Sequence, residues 1–82
     1  MTRLKKTLEF AVWLEKQDPR TAALVEMRLD RIQTHAHFGK SRALGDGLFE
    51  LKWDGGLRVY FGYIALADGN AVLMLLGGTK NG

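Results

Sequence analysis

Apolar residues recur at helical spacing in the first half of the chain. From Thr7 to Lys16 this spacing predicts a short helix with Thr7 as its N-cap, and Met1 to Lys6 ahead of it are predicted to form a short strand. Asp18-Pro19 predicts the start of a second helix, because aspartate accepts hydrogen bonds from first-turn amides and proline at the first helical position loses none. This helix is expected to end near His35, with Gly39 as its stop. Its buried stripe is predicted to contain Ala22, Ala23, Val25, Met27, Leu29 and Ile32.

The second half of the chain changes to strands separated by glycine. In Gly47 to Trp53 and again in Leu57 to Leu66, apolar and polar residues alternate, which is typical of strands with one covered face. Asp54-Gly55-Gly56 lies between them and predicts a three-residue turn with glycine in the left-handed region.

The register of this hairpin follows from the separation of its two faces. A three-residue turn sets Trp53 opposite Leu57 and Lys52 opposite Arg58, whereas a two-residue turn would mix apolar and charged residues on each face. Arg58 is then expected to be exposed. The inner face of the sheet is predicted to include Phe49, Leu51, Val59 and Phe61.

The last predicted strand is apolar on both faces. Asp68-Gly69 marks a second hairpin, Ala71 to Leu76 is predicted to be a strand covered on both sides, and Gly77-Gly78 are expected to end it. The order of elements indicates an α+β fold, in which two N-terminal helices pack on one face of a small antiparallel sheet. At 82 residues the chain is expected to form a single domain, residues 1–82.

Composition narrows the classes of protein to which the chain can belong. It contains no cysteine, which excludes disulfide-rich scaffolds and thiolate metal sites. Its longest apolar run, Ala71 to Leu76, is far shorter than the roughly 20 residues that a membrane-spanning helix needs, so we expect a cytoplasmic protein with no membrane partner. Twelve Lys and Arg against nine Asp and Glu give a net charge of +3, which is compatible with an anionic partner but does not indicate one.

Lys52 and Arg58 are the pair of residues that most strongly suggests a functional site. Like charges directly opposite each other in a sheet repel, and they are disfavoured without an anion to neutralise them. An RNA phosphate would be such an anion. The alternative is that both are solvated surface residues, compensated by Glu50 and Asp54.

Four more residues could extend such a site. Lys80 follows two glycines and could reach the same anion, or be a tail charge. Tyr60 shares the charged face and could stack on a base or hydrogen-bond a phosphate, or it could be an aromatic residue that packs under a further helix. Lys40 and Arg42 lie in a predicted loop from Gly39 to Gly47, where they could bind RNA backbone or be ordinary loop charges.

Other motifs carry less information about function. His35 and His37 are too few for a zinc site because third and fourth ligands are not evident, and we expect no metal or other cofactor. One of these histidines could act as a general acid or base at neutral pH. Trp13 and Trp53 are expected to belong to the core.

Three motifs in order resemble those of the RelE/HigB-like toxins, the addiction-module killer proteins of the RelE/ParE superfamily. They are residues 45–52 (GDGLFELK), 57–61 (LRVYF) and 75–80 (LLGGTK). Phe10 with Trp13-Leu14 is similar to a further motif of the helical half. Together these motifs span most of the chain.

The resemblance implies the toxin of a type II toxin–antitoxin system, with a RelE-like fold, that cleaves mRNA on the translating ribosome without a metal. The 2'-hydroxyl of the RNA would attack the adjacent phosphate, and Lys52, Arg58 and Lys80 would stabilise the negative charge of the transition state. Lys40, Arg42 and Tyr60 would bind the RNA. The implied protein partner is a cognate antitoxin, a small helix-turn-helix protein.

The sequence departs from the family pattern at two points. Lys52 stands where many relatives carry arginine, and an ammonium is not equivalent to a bidentate guanidinium. Family members normally continue into a further C-terminal helix, so the chain is expected to lack that segment and to cleave weakly. Leu73 and Leu75 beside Ile64 would then leave an exposed apolar sheet face, which is expected to be buried in a homo-oligomer or by antitoxin binding, or to stay exposed at a cost in solubility. A ParE-like gyrase inhibitor and a shortened, inactive module that only binds antitoxin are the alternatives.

Overall fold

Two helices pack against one face of a five-stranded sheet in the computed structural model, which describes residues 2–80. The helices are α1 (Leu8–Glu15) and α2 (Pro19–His35). The strands are β1 (Leu4–Lys6), β2 (Ser41–Gly45), β3 (Leu48–Lys52), β4 (Leu57–Leu66) and β5 (Gly69–Thr79). The predicted α+β class and the order of the two helices are confirmed, while Met1 of the predicted first strand lies outside the described residues.

Both helices begin at the predicted caps. The hydroxyl of Thr7 accepts a hydrogen bond from the Phe10 amide at 3.0 Å, and a carboxylate oxygen of Asp18 accepts one from the Thr21 amide at 2.7 Å. The helix ends at His35, as predicted, but the predicted stop at Gly39 is wrong, because the C-cap is Ala36, which adopts the left-handed conformation with φ 53°. The Ala36 amide donates a hydrogen bond to the carbonyl of Ile32. This carbonyl in the last turn of the helix therefore has a partner three residues before Gly39.

The buried stripe of α2 is narrower than predicted. Val25, Leu29 and Ile32 are buried as expected, and Ala22 is half-buried. Ala23 and Met27 are exposed because each lies two positions from a buried residue, which turns it roughly 200° around the helix.

The sheet is mixed rather than antiparallel, which corrects the predicted meander. Its strand order is β1-β5-β4-β3-β2, and β1 runs parallel to β5 while the other pairs are antiparallel. Residues 41–45, predicted as part of a loop, form the edge strand β2. Every residue of β2 is exposed, so the strand carries no buried alternation by which its sequence could have revealed it.

The predicted hairpin register is confirmed. Lys52 pairs with Arg58, and the Trp53 amide donates to the carbonyl of Leu57 at 3.1 Å. The intervening turn places Gly55 and Gly56 at φ 86° and 96°, where a side chain would be strained.

Gly77-Gly78 do not end the last strand, contrary to the prediction. β5 continues to Thr79, with Gly77 paired to Val59 and Gly78 to Arg58. The ring of Trp13 occupies the position that a Cβ atom of residue 77 would take. Glycine at this position therefore makes room for a side chain of α1 and does not end the strand. A register shift between Tyr60 and Phe61 accommodates one extra residue of β5, at Leu75.

The core lies between the helices and the inner face of the sheet. Its buried residues are Phe10, Val25, Leu29, Ile32, Leu51, Val59, Phe61, Val72 and Met74. Of the predicted inner residues, Phe49 is half-buried but stacks on Phe61 with ring centroids 5.4 Å apart. Trp13 and Trp53 both pack against this core while keeping part of each ring exposed.

Candidate functional site

Four of the residues predicted to act on RNA lie on the outer face of the sheet, the face opposite the helices: Arg42, Lys52, Arg58 and Tyr60. Two neighbouring rows of cross-strand pairs define this part of the face. One row runs Arg42–Glu50–Tyr60–Leu76 across β2 to β5, and the next runs Lys52–Arg58–Gly78. Alternation along each strand puts both rows on the same side, which confirms that Tyr60 shares the face of Lys52 and Arg58.

Lys80 lies at the same end of the sheet as this pair. Its amide donates a hydrogen bond of 2.8 Å to the carbonyl of Gly56, in the turn between β3 and β4. The residue is exposed. The fold therefore brings Lys80 to the same corner of the sheet as Lys52 and Arg58, although Lys80 lies 22 residues after Arg58 in the sequence.

Arg58 is not the exposed residue that the sequence analysis expected. Its side chain is 16% exposed, because the guanidinium folds back over the turn and donates to the carbonyls of Trp53 and Leu57, each at 2.9 Å. Its Nε lies 4.0 Å from Oε1 of Glu50. Arg58 thus has a structural role in the hairpin as well as a place in the candidate site.

Glu50 is the residue that the sequence analysis treated only as a compensating surface charge. It is 1% exposed, and its Oε1 accepts a hydrogen bond from Nε of Arg42 at 2.7 Å. Its Oε2 and the Nε of Arg58 are both buried without a hydrogen-bond partner among the described residues. The confirmed hairpin register sets Glu50 diagonal to Arg58, so the sequence held the signal for this contact.

Lys40 and Arg42 occupy different environments at the outer edge of the sheet. Arg42 belongs to β2 rather than to the predicted loop, and its guanidinium is bound to Glu50. Lys40 precedes β2 and lies 3.8 Å from the carboxylate of Asp54, with both side chains exposed. The Lys40 carbonyl accepts a hydrogen bond of 2.9 Å from the Lys52 amide, so these two lysines are tied together through their backbones.

Arg28 of α2 was not singled out from the sequence, and a mid-helix arginine gives no signal of its contacts. Its guanidinium carbon lies 4.2 Å from the ring centroid of Trp53. Its nitrogens donate to the carbonyls of Phe38 and Lys40 at 3.3 Å each and to that of Lys52 at 3.1 Å. Burial lowers the pKa of Arg28 from its usual range, and repulsion by Arg31 adds to this effect.

The remaining sequence candidates are two histidines. His35 and His37 are exposed, at and just beyond the end of α2. Within residues 2–80, His, Cys, Asp and Glu form no group of three or more that could hold a metal ion. Neither α1 nor α2 has the length and apolar character needed to cross a membrane.

The chain is similar in sequence to a known protein over nearly its whole length. The chain is 36% identical over 80 residues to a Haemophilus influenzae protein that is named only as an uncharacterized protein, and the match covers 96% of this chain and 79% of that protein. The chain belongs to the family of this Haemophilus influenzae protein. No protein-family model matches the chain.

The fold also has a solved counterpart. A chain in the crystal structure of the RelBE2 toxin–antitoxin complex from Mycobacterium tuberculosis superimposes with a TM-score of 0.72, covering 96% of this chain and 98% of that one. The two sequences are 18% identical, so the likeness concerns the fold. The two-helix, five-strand architecture is thus one that occurs in a toxin–antitoxin complex.

Proposed function

We propose that the chain is the toxin of a toxin–antitoxin module and cleaves mRNA on the translating ribosome. The observation that carries this proposal is the convergence of Lys52, Arg58 and Lys80 at one corner of the sheet, where Lys52 and Arg58 lie on the face that neither helix covers. Three cations at the ends of three neighbouring strands suit a phosphodiester better than they suit an apolar ligand. The likeness in fold to a chain of the RelBE2 complex supports the same assignment.

The chemistry would be a transfer within the RNA backbone. The 2'-hydroxyl oxygen forms a bond to the adjacent phosphorus while the bond from phosphorus to the 5'-oxygen breaks, which gives a cyclic phosphate and a free 5'-hydroxyl. Lys52, Arg58 and Lys80 would stabilise the extra negative charge on the phosphorane-like transition state. Tyr60, Arg42 and Lys40 would hold the strand by stacking and by phosphate contacts, which give affinity rather than sequence selection.

A cognate antitoxin is the protein partner that this function implies. A small helix-turn-helix protein that binds the chain and covers the outer face would block access of RNA to the three cations. The RelBE2 structure is itself a toxin–antitoxin complex, which supports a partner of this kind.

Cleavage of mRNA on purified ribosomes tests the proposal. Ribosomes translating a defined mRNA are incubated with the chain, and new RNA ends are mapped by primer extension. Lys52→Ala should reduce cleavage roughly a hundredfold, the scale expected for loss of one group that stabilises transition-state charge. Lys16→Ala is the matched control, because Lys16 is exposed at the end of α1 on the helix side of the sheet.

The structure also offers an observation that favours a binding protein without nuclease activity. The guanidinium of Arg58 is already engaged by two carbonyls and lies near Glu50, which lowers its availability to a phosphate. A gyrase inhibitor of the ParE type, or a module that binds antitoxin only, would be consistent with that. Wild-type chain that leaves mRNA intact but blocks DNA supercoiling by gyrase would overturn the nuclease assignment in favour of the first alternative.

A further inference from the structure

Arg28 joins the helical layer to the corner of the sheet that carries the candidate site. It is half-buried on α2, and its side chain spans to the segment before β2 and to the end of β3. The planar guanidinium stacks on Trp53, which follows β3 directly. One side chain therefore contacts both the residue just before β2 and the last residue of β3, which are the candidate lysines Lys40 and Lys52.

The contacts of Arg28 converge on the backbones of Lys40 and Lys52. It donates to the carbonyl of Lys40 at 3.3 Å and to that of Lys52 at 3.1 Å. The Lys52 amide donates to the same Lys40 carbonyl at 2.9 Å. These three hydrogen bonds close a ring that fixes the two lysine backbones relative to each other and to α2.

A third carbonyl, that of Phe38, completes the set of acceptors. Gly39 follows it with φ 70°, and a Cβ atom there would lie 3.3 Å from the guanidinium carbon of Arg28. The chain between α2 and β2 is thus shaped around this guanidinium. Only a planar group with several donors matches three carbonyls and an aromatic ring together, and lysine does not offer that geometry.

We propose that Arg28 is a positioning residue for RNA binding: it holds the backbones of Lys40 and Lys52 so that their ammonium groups face the RNA together. Arg28 does not contact the RNA itself, because its donors are directed at protein carbonyls. This role rests on the proposed function of the chain as an RNA-cleaving toxin.

A double-mutant cycle on RNA binding tests this role. The probe is a fluorescein-labelled single-stranded RNA oligonucleotide of mixed sequence, and binding is followed by fluorescence anisotropy. Arg28→Met keeps an apolar side chain of similar length against Trp53 but removes both the charge and the donors, and Arg28→Lys keeps the charge without the planar fork. Each should weaken binding roughly five- to tenfold in the wild-type background but less than about twofold when Lys40 and Lys52 are both replaced by alanine. Arg31→Met, which removes an exposed arginine one turn away, is the control and should change binding less than about twofold.

The rate of hydrogen exchange at the Lys52 amide measures, in the absence of RNA, how firmly this amide is held against the Lys40 carbonyl. Arg28→Met should speed this exchange at least about tenfold relative to wild type, whereas Arg31→Met should leave it unchanged. Unchanged exchange in Arg28→Met, or an equal loss of RNA binding in both backgrounds, would overturn the positioning role alone. Wild-type chain that binds no RNA would overturn the RNA function, and this role with it.

Discussion

Glu50 accepts a hydrogen bond from Nε of Arg42 at 2.7 Å on the face of the sheet that no helix covers. The carboxylate is buried while the side chain of Arg42 remains half exposed. Arg58 approaches the same carboxylate oxygen from the other side, at 4.0 Å. An RNA phosphate at this corner would therefore compete with Glu50 for the two guanidinium groups.

Replacing Glu50 by glutamine should destabilise the fold and strengthen RNA binding. The uncharged amide leaves the neighbouring guanidinium groups without their buried anion, which should lower the free energy of unfolding by about 1–3 kcal/mol. Arg42 would then be free to pair with a phosphate instead. Urea denaturation and RNA anisotropy measure the two effects.

Glu26→Gln is the control for this change, since Glu26 is exposed on α2 and should alter stability by no more than about 0.5 kcal/mol. A Glu50→Gln variant with the stability and RNA affinity of wild type would show that the buried carboxylate neither supports the fold nor restrains the arginines.

The register of the hairpin between β3 and β4 could be predicted from the sequence because the alternation of apolar and charged residues in the two strands is enough to determine it. A three-residue turn is the arrangement that keeps the apolar and charged positions of β3 and β4 on separate faces, and the pairing of Lys52 with Arg58 followed from that. The helix starts were predictable for a similar reason, since Thr7 and Asp18 act within three residues of their own position.

The features that were missed depend on contacts between distant parts of the chain. β2 is exposed throughout, so it pairs with β3 without any apolar pattern. Glycine is a residue type that often ends a strand, and Gly77 was therefore predicted to end β5. In the structure it lies against the ring of Trp13, 64 residues earlier in the sequence. Arg28 reaches carbonyls up to 24 residues away, which no local pattern can indicate.

Gly77→Ala should destabilise the fold through a clash with Trp13. The added Cβ would enter the space of the indole ring, and overpacking of this kind typically costs about 1–3 kcal/mol. Gly78→Ala is a matched control, because a Cβ at Gly78 meets open space and the backbone there is not in the left-handed region. Thermal denaturation followed by circular dichroism should show a lower melting temperature for Gly77→Ala only. Equal melting temperatures for the two variants would contradict the close approach of Trp13.

The N-cap of α2 should make stability depend on pH in the acid range. Hydrogen bonds from Thr21 lower the pKa of Asp18 below its ordinary value of 3.8. Because the folded state favours the ionised carboxylate, its stabilising effect is complete above the unfolded pKa and is lost as the pH falls through the lower folded pKa. Asp18→Asn keeps an acceptor that never ionises, so wild type should melt higher than this variant above about pH 5 and lose that advantage below about pH 4.

Asp30→Asn is the comparison for this titration, since it removes one exposed negative charge from the same helix. A wild-type advantage over Asp18→Asn that stays constant down to pH 2 would contradict the lowered pKa at the cap.

The expected self-association through the outer face stays a prediction, and the structure identifies the residues to test. Leu76 is 48% exposed and Leu48 37% exposed on this face, while Ile64, Leu73 and Leu75 are half-buried. Leu76→Gln should shift sedimentation toward the monomer, because burial of that side chain would drive association. Leu24→Gln is the control, since Leu24 is similarly exposed, at 44%, but lies on α2. Wild-type chain that sediments as a monomer at high concentration would contradict this prediction.

Arg58 requires two variants, because its half-buried position gives it two roles. Arg58→Ala removes the hydrogen bonds to the carbonyls of Trp53 and Leu57, so it should lower the free energy of unfolding by about 1–3 kcal/mol, contrary to the expectation of an exposed residue. A loss of toxicity in this variant would therefore mix an unstable hairpin with a missing cation.

Arg58→Lys separates the two roles. The ammonium keeps the positive charge and can still donate to a turn carbonyl, but it lacks the planar fork that would contact a phosphate at two points. We expect this variant to keep a melting temperature closer to wild type than Arg58→Ala does, and to cleave ribosome-bound mRNA roughly a hundredfold more slowly than wild type. Arg20→Lys, at the exposed start of α2, should change neither quantity. Full cleavage by Arg58→Lys would mean that charge alone suffices at this position, and full cleavage by folded Arg58→Ala would remove Arg58 from the catalytic group.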